Sequence, residues 1–215
     1  MKSDSNRNHE EGYGIKRVKQ VKNRDLVSKR RTQIMSAALE LFLNKGFHAT
    51  TIRDISGRSG VNQGSIYDYV KNKEDILQLL LNDLHRDRDE FPQDELEFLK
   101  RFDTLEGYLK DHIRYSWTTN RKGVLLTYRV TKSLKKEHLK NLLVKDSDLI
   151  DGVAGNIKRF PGITGDEKRI NLVANIIVFL NGFVPMRDWN LKAYELEEIL
   201  DLVVEMVSKI LVDEN

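Results

Sequence analysis

The sequence contains no cysteine and no long apolar run. Without cysteine, the chain can form neither disulfides nor thiolate metal sites. The longest uncharged stretch, residues 170–186, spans 17 residues and includes Asn175, Asn181 and Pro185, which makes it short and polar for a membrane span. We therefore expect a buried helix there and no membrane partner. Because no secretory, lipidation or transit signal is recognisable, we expect a cytoplasmic location.

The motifs of common enzyme active sites are also absent from the sequence. There is no Gly-x-Ser-x-Gly, no His-Glu-x-x-His and no glycine-rich loop ending in Gly-Lys. Residues 60–65 superficially resemble a phosphate-binding loop, but they lack its lysine and follow a predicted helix rather than a strand. The sequence therefore predicts a protein that is not an enzyme and that has no metal site or cofactor.

Charge is distributed unevenly along the 215 residues, a length sufficient for one large or two small domains. Residues 1–75 hold 15 basic and 9 acidic side chains, whereas residues 76–215 hold 21 and 24. A basic surface attracts a nucleic-acid backbone whatever the base sequence. Alone, this asymmetry is equally compatible with a merely solvated charged face.

Residues 51–60 predict a short helix that ends in a tight turn. Thr51 can cap a helix over about 52–59, with Asp54 at the capping-box position. Gly60 has the backbone freedom needed to end it.

A second short helix is predicted to begin after Asn62, a favourable N-cap residue. Ile66 and Val70 form its inner side, which leaves an outward face made of Gln63, Ser65, Tyr67 and Asp68. Asn72 and Asp75 then open another helix, to about residue 90, with apolar residues at helical spacing: Ile76, Leu77, Leu80, Leu81 and Leu84. This arrangement is typical of a helix-turn-helix, whose second helix enters the DNA major groove. A helical hairpin in an unrelated all-α core shows the same periodicity.

This part of the chain resembles the TetR family of bacterial transcriptional regulators. The resemblance covers about residues 30–77 and rests on Ala37-Ala38-Leu39-Glu40-Leu41-Phe42, Lys45-Gly46-Phe47, Thr50-Thr51-Ile52-Arg53-Asp54-Ile55, Gly60-Val61, Gly64-Ser65-Ile66-Tyr67, Tyr69 and Lys71-Asn72-Lys73-Glu74-Asp75-Ile76-Leu77. The chain departs from the family pattern at Ser56 and Ser59, where alanine is usual, and at Gln63, where lysine or arginine is common. The serines are small enough to pack, whereas Gln63 changes the base-reading chemistry.

The resemblance implies an all-α fold with an N-terminal three-helix helix-turn-helix DNA-binding domain and a C-terminal helical ligand-binding and dimerisation domain. It also implies a homodimer that binds a duplex DNA operator. Base edges are expected to meet Gln63, Ser65 and Tyr67, and phosphates to meet Tyr69, Lys71 and Lys73. The full set of DNA-binding candidates is Thr50, Thr51, Asn62, Gln63, Gly64, Ser65, Tyr67, Tyr69, Lys71 and Lys73.

Residues 1–27 are predicted to form a disordered basic arm. Between Lys16 and Arg31 the sequence has eight basic side chains and a single acid, Asp25. Such an arm can lie in a minor groove or along phosphates, or it can be a solvated tail that continues into the exposed face of the first helix. The helix-turn-helix domain is then predicted over residues 28–75, and the effector-binding and dimerisation domain over 76–215.

The second domain is predicted to be helical throughout, without strands or internal repeats. Apolar periodicity and caps predict helices at about 104–119, 122–134, 135–159, 164–184 and 195–212, the fourth of them opened by a capping box at residues 164–167. The last two predicted helices are apolar over most of their surface, so they need burial on every side. A four-helix bundle made of two helices from each subunit supplies that burial, and the family resemblance implies the same dimer. A monomeric core is the alternative.

Aromatic and polar side chains in these helices suit an apolar ligand with one anchored head group, although an aromatic stripe at helical spacing is more often plain core. The candidates are Tyr108, His112, Tyr115, Trp117, Tyr128, Arg129, Phe179, Phe183, Arg187 and Trp189. An anionic head group is expected at Arg129 or Arg187. Two functions are therefore compatible with the sequence. One is a repressor released from its operator by a small apolar or aromatic effector, and the other is a DNA-binding scaffold protein without an effector.

Overall fold

The structure of the protein is a computed structural model that describes the backbone of residues 24–86 and 95–212 and the side chains of residues 26–83 and 97–212. The described backbone is predominantly α-helical, which confirms the all-α prediction. Contacts divide the chain into two compact units, Met1–Asp83 and Leu84–Asn215. Most of the predicted basic arm, residues 1–23, lies outside the described residues.

The first unit holds the predicted helix-turn-helix. Its described helices are α1 (Arg24–Asn44), α2 (Ile52–Ser59), α3 (Gln63–Ile66) and α4 (Lys73–Arg86). Helix α3 is only one turn long, so its place is set by the core beneath it rather than by its own propensity. That core is built from fully buried apolar side chains: Ile34, Phe42, Ile55, Ile66, Val70, Ile76 and Leu77.

The second unit contains seven described α-helices. They are α5 (Glu95–Arg101), α6 (Leu105–Trp117), α7 (Arg121–Val130), α8 (Lys136–Ile157), α9 (Glu167–Leu180), α10 (Phe183–Leu191) and α11 (Leu196–Leu211). A 3₁₀ turn, Thr131–Ser133, follows α7. Helix α6 is buried along the face that its periodicity predicts, and Arg114 of α6 donates to both carboxylate oxygens of Glu197 in α11, at 3.1 and 2.6 Å.

The structure departs from the sequence predictions at three places in this unit. Helix α5 was not predicted, although Phe98 and Phe102 lie one turn apart and are both buried. The capping box at residues 164–167 does not form, because Asp166 is the N-cap and accepts from the Arg169 N–H at 2.8 Å. The Thr164 N–H instead donates to the Leu211 carbonyl at 2.8 Å.

The third departure is at the predicted helix 164–184, since α9 ends at Leu180 and α10 follows a break at Asn181 and Gly182. A Cβ atom on Gly182 would lie 2.7 Å from the Tyr128 ring, so glycine permits a close approach of α7 at this break. As a result, the two apolar helices predicted to be last, α9 and α11, have α10 between them.

Regular strands are absent from residues 24–86 and 95–212, where the β-structure is a single antiparallel bridge between Ile163 and Val212. In the same ranges no single helix is both long and apolar enough to cross a membrane. Helices α9 and α10 together reach that length and composition, but they are bent by 49° at the break between them.

Candidate nucleic-acid interface and C-terminal cavity

The first turn of α2 is fixed by a reciprocal cap. The Thr51 hydroxyl oxygen accepts from the Asp54 N–H at 3.1 Å, and the Asp54 carboxylate accepts from the Thr51 N–H at 2.8 Å. Lys45, just after α1, donates to the same carboxylate at 2.7 Å. The predicted capping box is therefore confirmed, and an ion pair anchors it to the end of α1.

The turn between α2 and α3 is equally well defined. Gly60 caps α2 with φ 68°, a left-handed conformation that favours glycine, and its N–H donates to the Ser56 carbonyl. The Ser56 hydroxyl donates to the Val61 carbonyl at 2.8 Å across the turn. The hydroxyl of Ser56, one of the two serines in place of the family's usual alanine, therefore stabilises this turn.

Helix α3 presents a polar surface to solvent. Asn62 caps it by accepting from the Gly64 N–H at 2.8 Å, and Ile66 and Val70 anchor it in the core. The outward side chains are those of Gln63, Ser65, Tyr67 and Asp68, and Tyr67 is 39% exposed. These placements agree with the predicted outward face. A short helix held rigidly from below, with amide, hydroxyl and phenol groups free to face outward, has the shape and chemistry of a base-reading element.

Two DNA-binding candidates take other positions. Thr50 is buried, and its hydroxyl donates to the Gly46 carbonyl at 2.8 Å, so its side chain belongs to the α1–α2 loop rather than to a DNA-facing surface. The Lys73 ammonium donates to three carbonyl oxygens of the same loop, which opposes the predicted phosphate contact. Of the remaining candidates, Lys71 is exposed and Tyr69 is half-buried.

The cap on α2 predicts a measurable acid sensitivity. Hydrogen bonds from Lys45 and Thr51 lower the pKa of Asp54 from 3.8 to about 2. Because the pKa is lower in the folded state, this carboxylate contributes stability above about pH 4, and that contribution is lost as the pH falls from about 4 to about 2. As the pH is lowered from 6 to 2, the urea concentration at the unfolding midpoint should therefore fall less for Asp54→Asn than for the wild type. The exposed control Asp68→Asn should follow the wild type, and parallel curves for Asp54→Asn and the wild type would contradict the prediction.

In the second unit, the aromatic face of α6 is buried in the core. Tyr108 and Trp117 are fully buried, and His112 is 3% exposed. The Trp117 Nε1–H donates to the Leu180 carbonyl at 2.9 Å, and the Asn181 Nδ2 lies 3.3 Å from His112 Nε2. These side chains hold α6 against the end of α9 and function as core residues in the described structure.

A cavity of about 500 Å³ lies between α7, α8 and α9. Its volume is within the range of small-molecule sites. The apolar part of its lining comes from Val124, Leu142, Leu143, Leu149, Ile150, Val178 and Phe179. The polar part comes from Asn120, Thr127, Tyr128, Thr131, Lys132, Asp146, Asn175 and Asn181.

Only Tyr128 and Phe179 of the predicted ligand residues line this cavity. Tyr108, His112 and Trp117 are in the core, Tyr115 is half-buried, and Phe183 packs on Trp117 with ring centroids 6.4 Å apart. Arg129, Arg187 and Trp189 are exposed. Lys132, which lies in the 3₁₀ turn after α7, is the basic side chain among the lining residues.

Helices α9 and α11 share an exposed apolar surface, which we call the α9–α11 face. It consists of Leu172, Ile176 and Phe179 on α9 and of Leu202, Met206 and Ile210 on α11. Leu172 and Phe179 are 63% and 61% exposed, and Leu202 and Met206 are each 59% exposed. The spacing of three or four residues places each set on one side of its helix, opposite the buried side that packs into the core.

Comparison with known proteins agrees with this geometry, which defines a protein of the helix-turn-helix class. A family model described as "Bacterial regulatory proteins, tetR family" matches residues 34–80. The HTH-type transcriptional regulator HbdR of Aromatoleum sp. strain CIB is 33% identical over 129 residues, which cover 57% of this chain and 53%, about half, of HbdR. Over residues 34–80 the chain is therefore similar to the TetR family of bacterial regulatory proteins.

Solved structures show the same fold over most of the chain. A regulatory protein of the TetR family from Rhodococcus RHA1 superposes with a TM-score of 0.69 at 20% identity, covering 87% of this chain and 99% of that one. AibR, solved with isovaleryl coenzyme A and operator DNA, has a TM-score of 0.62 at 16% identity, covering 82% of this chain and 97% of that one.

Proposed function

We propose that the chain is a DNA-binding transcriptional repressor in the cytoplasm, which binds a pseudo-palindromic operator as a homodimer and is released by a small apolar or aromatic effector. The observation that carries the proposal is the exposed polar face of α3, held by its Asn62 cap and by buried Ile66. Gln63, Ser65 and Tyr67 are the base-reading candidates on this face, and Lys71 and Tyr69 flank it as phosphate contacts.

The α9–α11 face supports the dimer. Both helices bury one side in their own unit and leave the other apolar side open, so a second copy can cover it with the same face. The C-terminal end of α11 lies beside the start of α9, because Arg169 donates to the Ile210 carbonyl at 3.0 Å. Four helices, two from each copy, would then form the bundle. A two-fold dimer presents its recognition helices to two half-sites in inverted repeat.

The cavity between α7, α8 and α9 is the proposed effector site. Its apolar walls suit a hydrocarbon or aromatic body, and Lys132 is the proposed partner for an anionic group. AibR supports this reading, since it was solved with both an acyl coenzyme A and operator DNA. This cavity favours the effector-controlled repressor over the scaffold protein.

Reciprocal coupling is the expected result when an effector is found. Isovaleryl coenzyme A and aromatic carboxylic acids are suitable first probes in a thermal-shift screen. Calorimetric titration of a stabilising compound, with and without operator, should give binding free energies that differ by about 1–3 kcal/mol. The compound should weaken operator binding by the same free energy. Lys132→Met should weaken the binding of an acidic compound. Arg129→Met, which changes a residue outside the cavity lining, should leave that binding unchanged. Equal affinities with and without operator would favour the scaffold protein.

A further inference from the structure

Lys73 makes an unusually complete set of contacts for a lysine near a DNA-facing surface. Its Nζ donates to the carbonyl oxygens of Phe47 at 2.8 Å, His48 at 3.0 Å and Thr50 at 3.0 Å. The same atom lies 4.7 Å from the centroid of the Phe47 ring. An ammonium group has three N–H donors and no acceptor, so these three carbonyls use all of its hydrogen-bonding capacity.

The three carbonyls belong to the loop between α1 and α2, which is itself held in shape. Within it, the Thr50 hydroxyl donates to the Gly46 carbonyl at 2.8 Å, and the Phe47 ring packs edge-on against Phe42 with centroids 5.1 Å apart. The loop ends at Thr51, the N-cap of α2. Anything that fixes the loop therefore fixes the starting point of α2 and, through the turn at Gly60, the position of α3.

Lys73 is the first residue of α4, so its side chain connects the beginning of that helix to a loop more than 20 residues earlier in the chain. We infer that Lys73 is a positioning residue, whose ammonium ties α4 to the α1–α2 loop and thereby sets how α3 presents Gln63, Ser65 and Tyr67. The inference rests on the proposed function and deepens it, because it identifies a contact through which the first turn of α4 fixes the position of α3.

This role differs from a phosphate contact in what it requires of the side chain. A phosphate group binds an arginine side chain at least as well as a lysine side chain, because the guanidinium keeps the charge and offers two parallel N–H groups. Three carbonyls that converge on one nitrogen need a compact ammonium, and the planar, rigid guanidinium does not match them. Lys73→Arg therefore keeps the charge and removes the positioning geometry.

The experiment compares Lys73→Arg and Lys73→Met with Lys71→Arg and Lys71→Met, since Lys71 is exposed and is two residues away. Affinity for a duplex selected in vitro with the wild-type chain is measured over a range of salt concentrations at 10 °C, where circular dichroism must show wild-type helix content. Lys73→Gln is the reserve variant if either Lys73 substitution unfolds. For Lys73→Arg we expect a loss of roughly tenfold or more in affinity with an unchanged salt slope. Lys71→Arg, which keeps the charge, should lose less affinity than Lys73→Arg, and Lys71→Met should lower the salt slope by about 0.9.

Two results would overturn the inference. If Lys73→Arg binds as wild type while Lys73→Met lowers the salt slope by about 0.9, Lys73 is a phosphate ligand. If both folded Lys73 variants bind with unchanged affinity, the contact only stabilises the unit.

Amide hydrogen exchange separates this inference from a failure of the proposed function. If the wild type binds no duplex, the proposed function fails, and exchange in Lys73→Arg still tests the connection to α3. Faster exchange in both residues 46–51 and residues 63–66 supports positioning. Faster exchange confined to residues 46–51 refutes it.

Discussion

Glutamate at both Leu202 and Met206 is expected to convert the proposed dimer to monomers and to reduce operator affinity by about 100-fold or more. Both side chains lie on the α9–α11 face and are 59% exposed in the single chain, so the substitutions leave the core of the unit intact. In a dimer they would place unpaired carboxylates in an apolar interface, which is costly. Linked binding to two half-sites commonly gains a factor of 10²–10⁴, and a monomer forfeits that gain.

Sedimentation velocity and operator titration measure the two effects. Val144→Glu is the matched control, because Val144 is an exposed apolar residue of α8 outside the α9–α11 face, 52% exposed. The control should remain dimeric and bind the operator normally. A dimeric Leu202→Glu/Met206→Glu variant would show that the two subunits associate through another surface.

Gln63→Ala is expected to relax the preference for one base pair in each half-site. Gln63 is exposed on α3, directly after the Asn62 cap, and a glutamine amide can pair with adenine N6 and N7 in the major groove. The loss of discrimination should be about 1–3 kcal/mol at that base pair, with little change at the others.

The measurement is competition binding against operators substituted at each position in turn. Lys71→Met provides the contrast, since loss of a phosphate contact weakens every sequence alike. Equal losses for Gln63→Ala on all operators would assign its side chain to the DNA backbone instead.

The helix-turn-helix could be predicted from sequence because its signals are local. Thr51 and Asp54 are three residues apart, as are Asn72 and Asp75, and each pair forms the expected hydrogen bonds within one turn. The fully buried positions of α3 and α6 likewise follow from helical spacing alone.

Long-range contacts could not be predicted in this way. Lys73 has the same sequence context as a phosphate-binding lysine, and its actual partners lie 23 to 26 residues earlier in the chain. The cavity is formed where three helices meet, so composition alone did not separate Tyr128, which lines it, from Trp117, which is core. The break after α9 had a local signal in Asn181-Gly182, but the apolar run through it predicted a continuous helix.

We propose above that the chain binds a two-fold symmetric DNA sequence as a dimer. Selection of binding sites from a random duplex pool by the wild-type chain, followed by sequencing, tests this directly. We expect an enriched inverted repeat whose half-site centres are about 10–10.5 base pairs apart, or a multiple of that spacing, and its enrichment should fall with rising salt. A single half-site without a symmetric partner, or no enrichment over the starting pool, would contradict it.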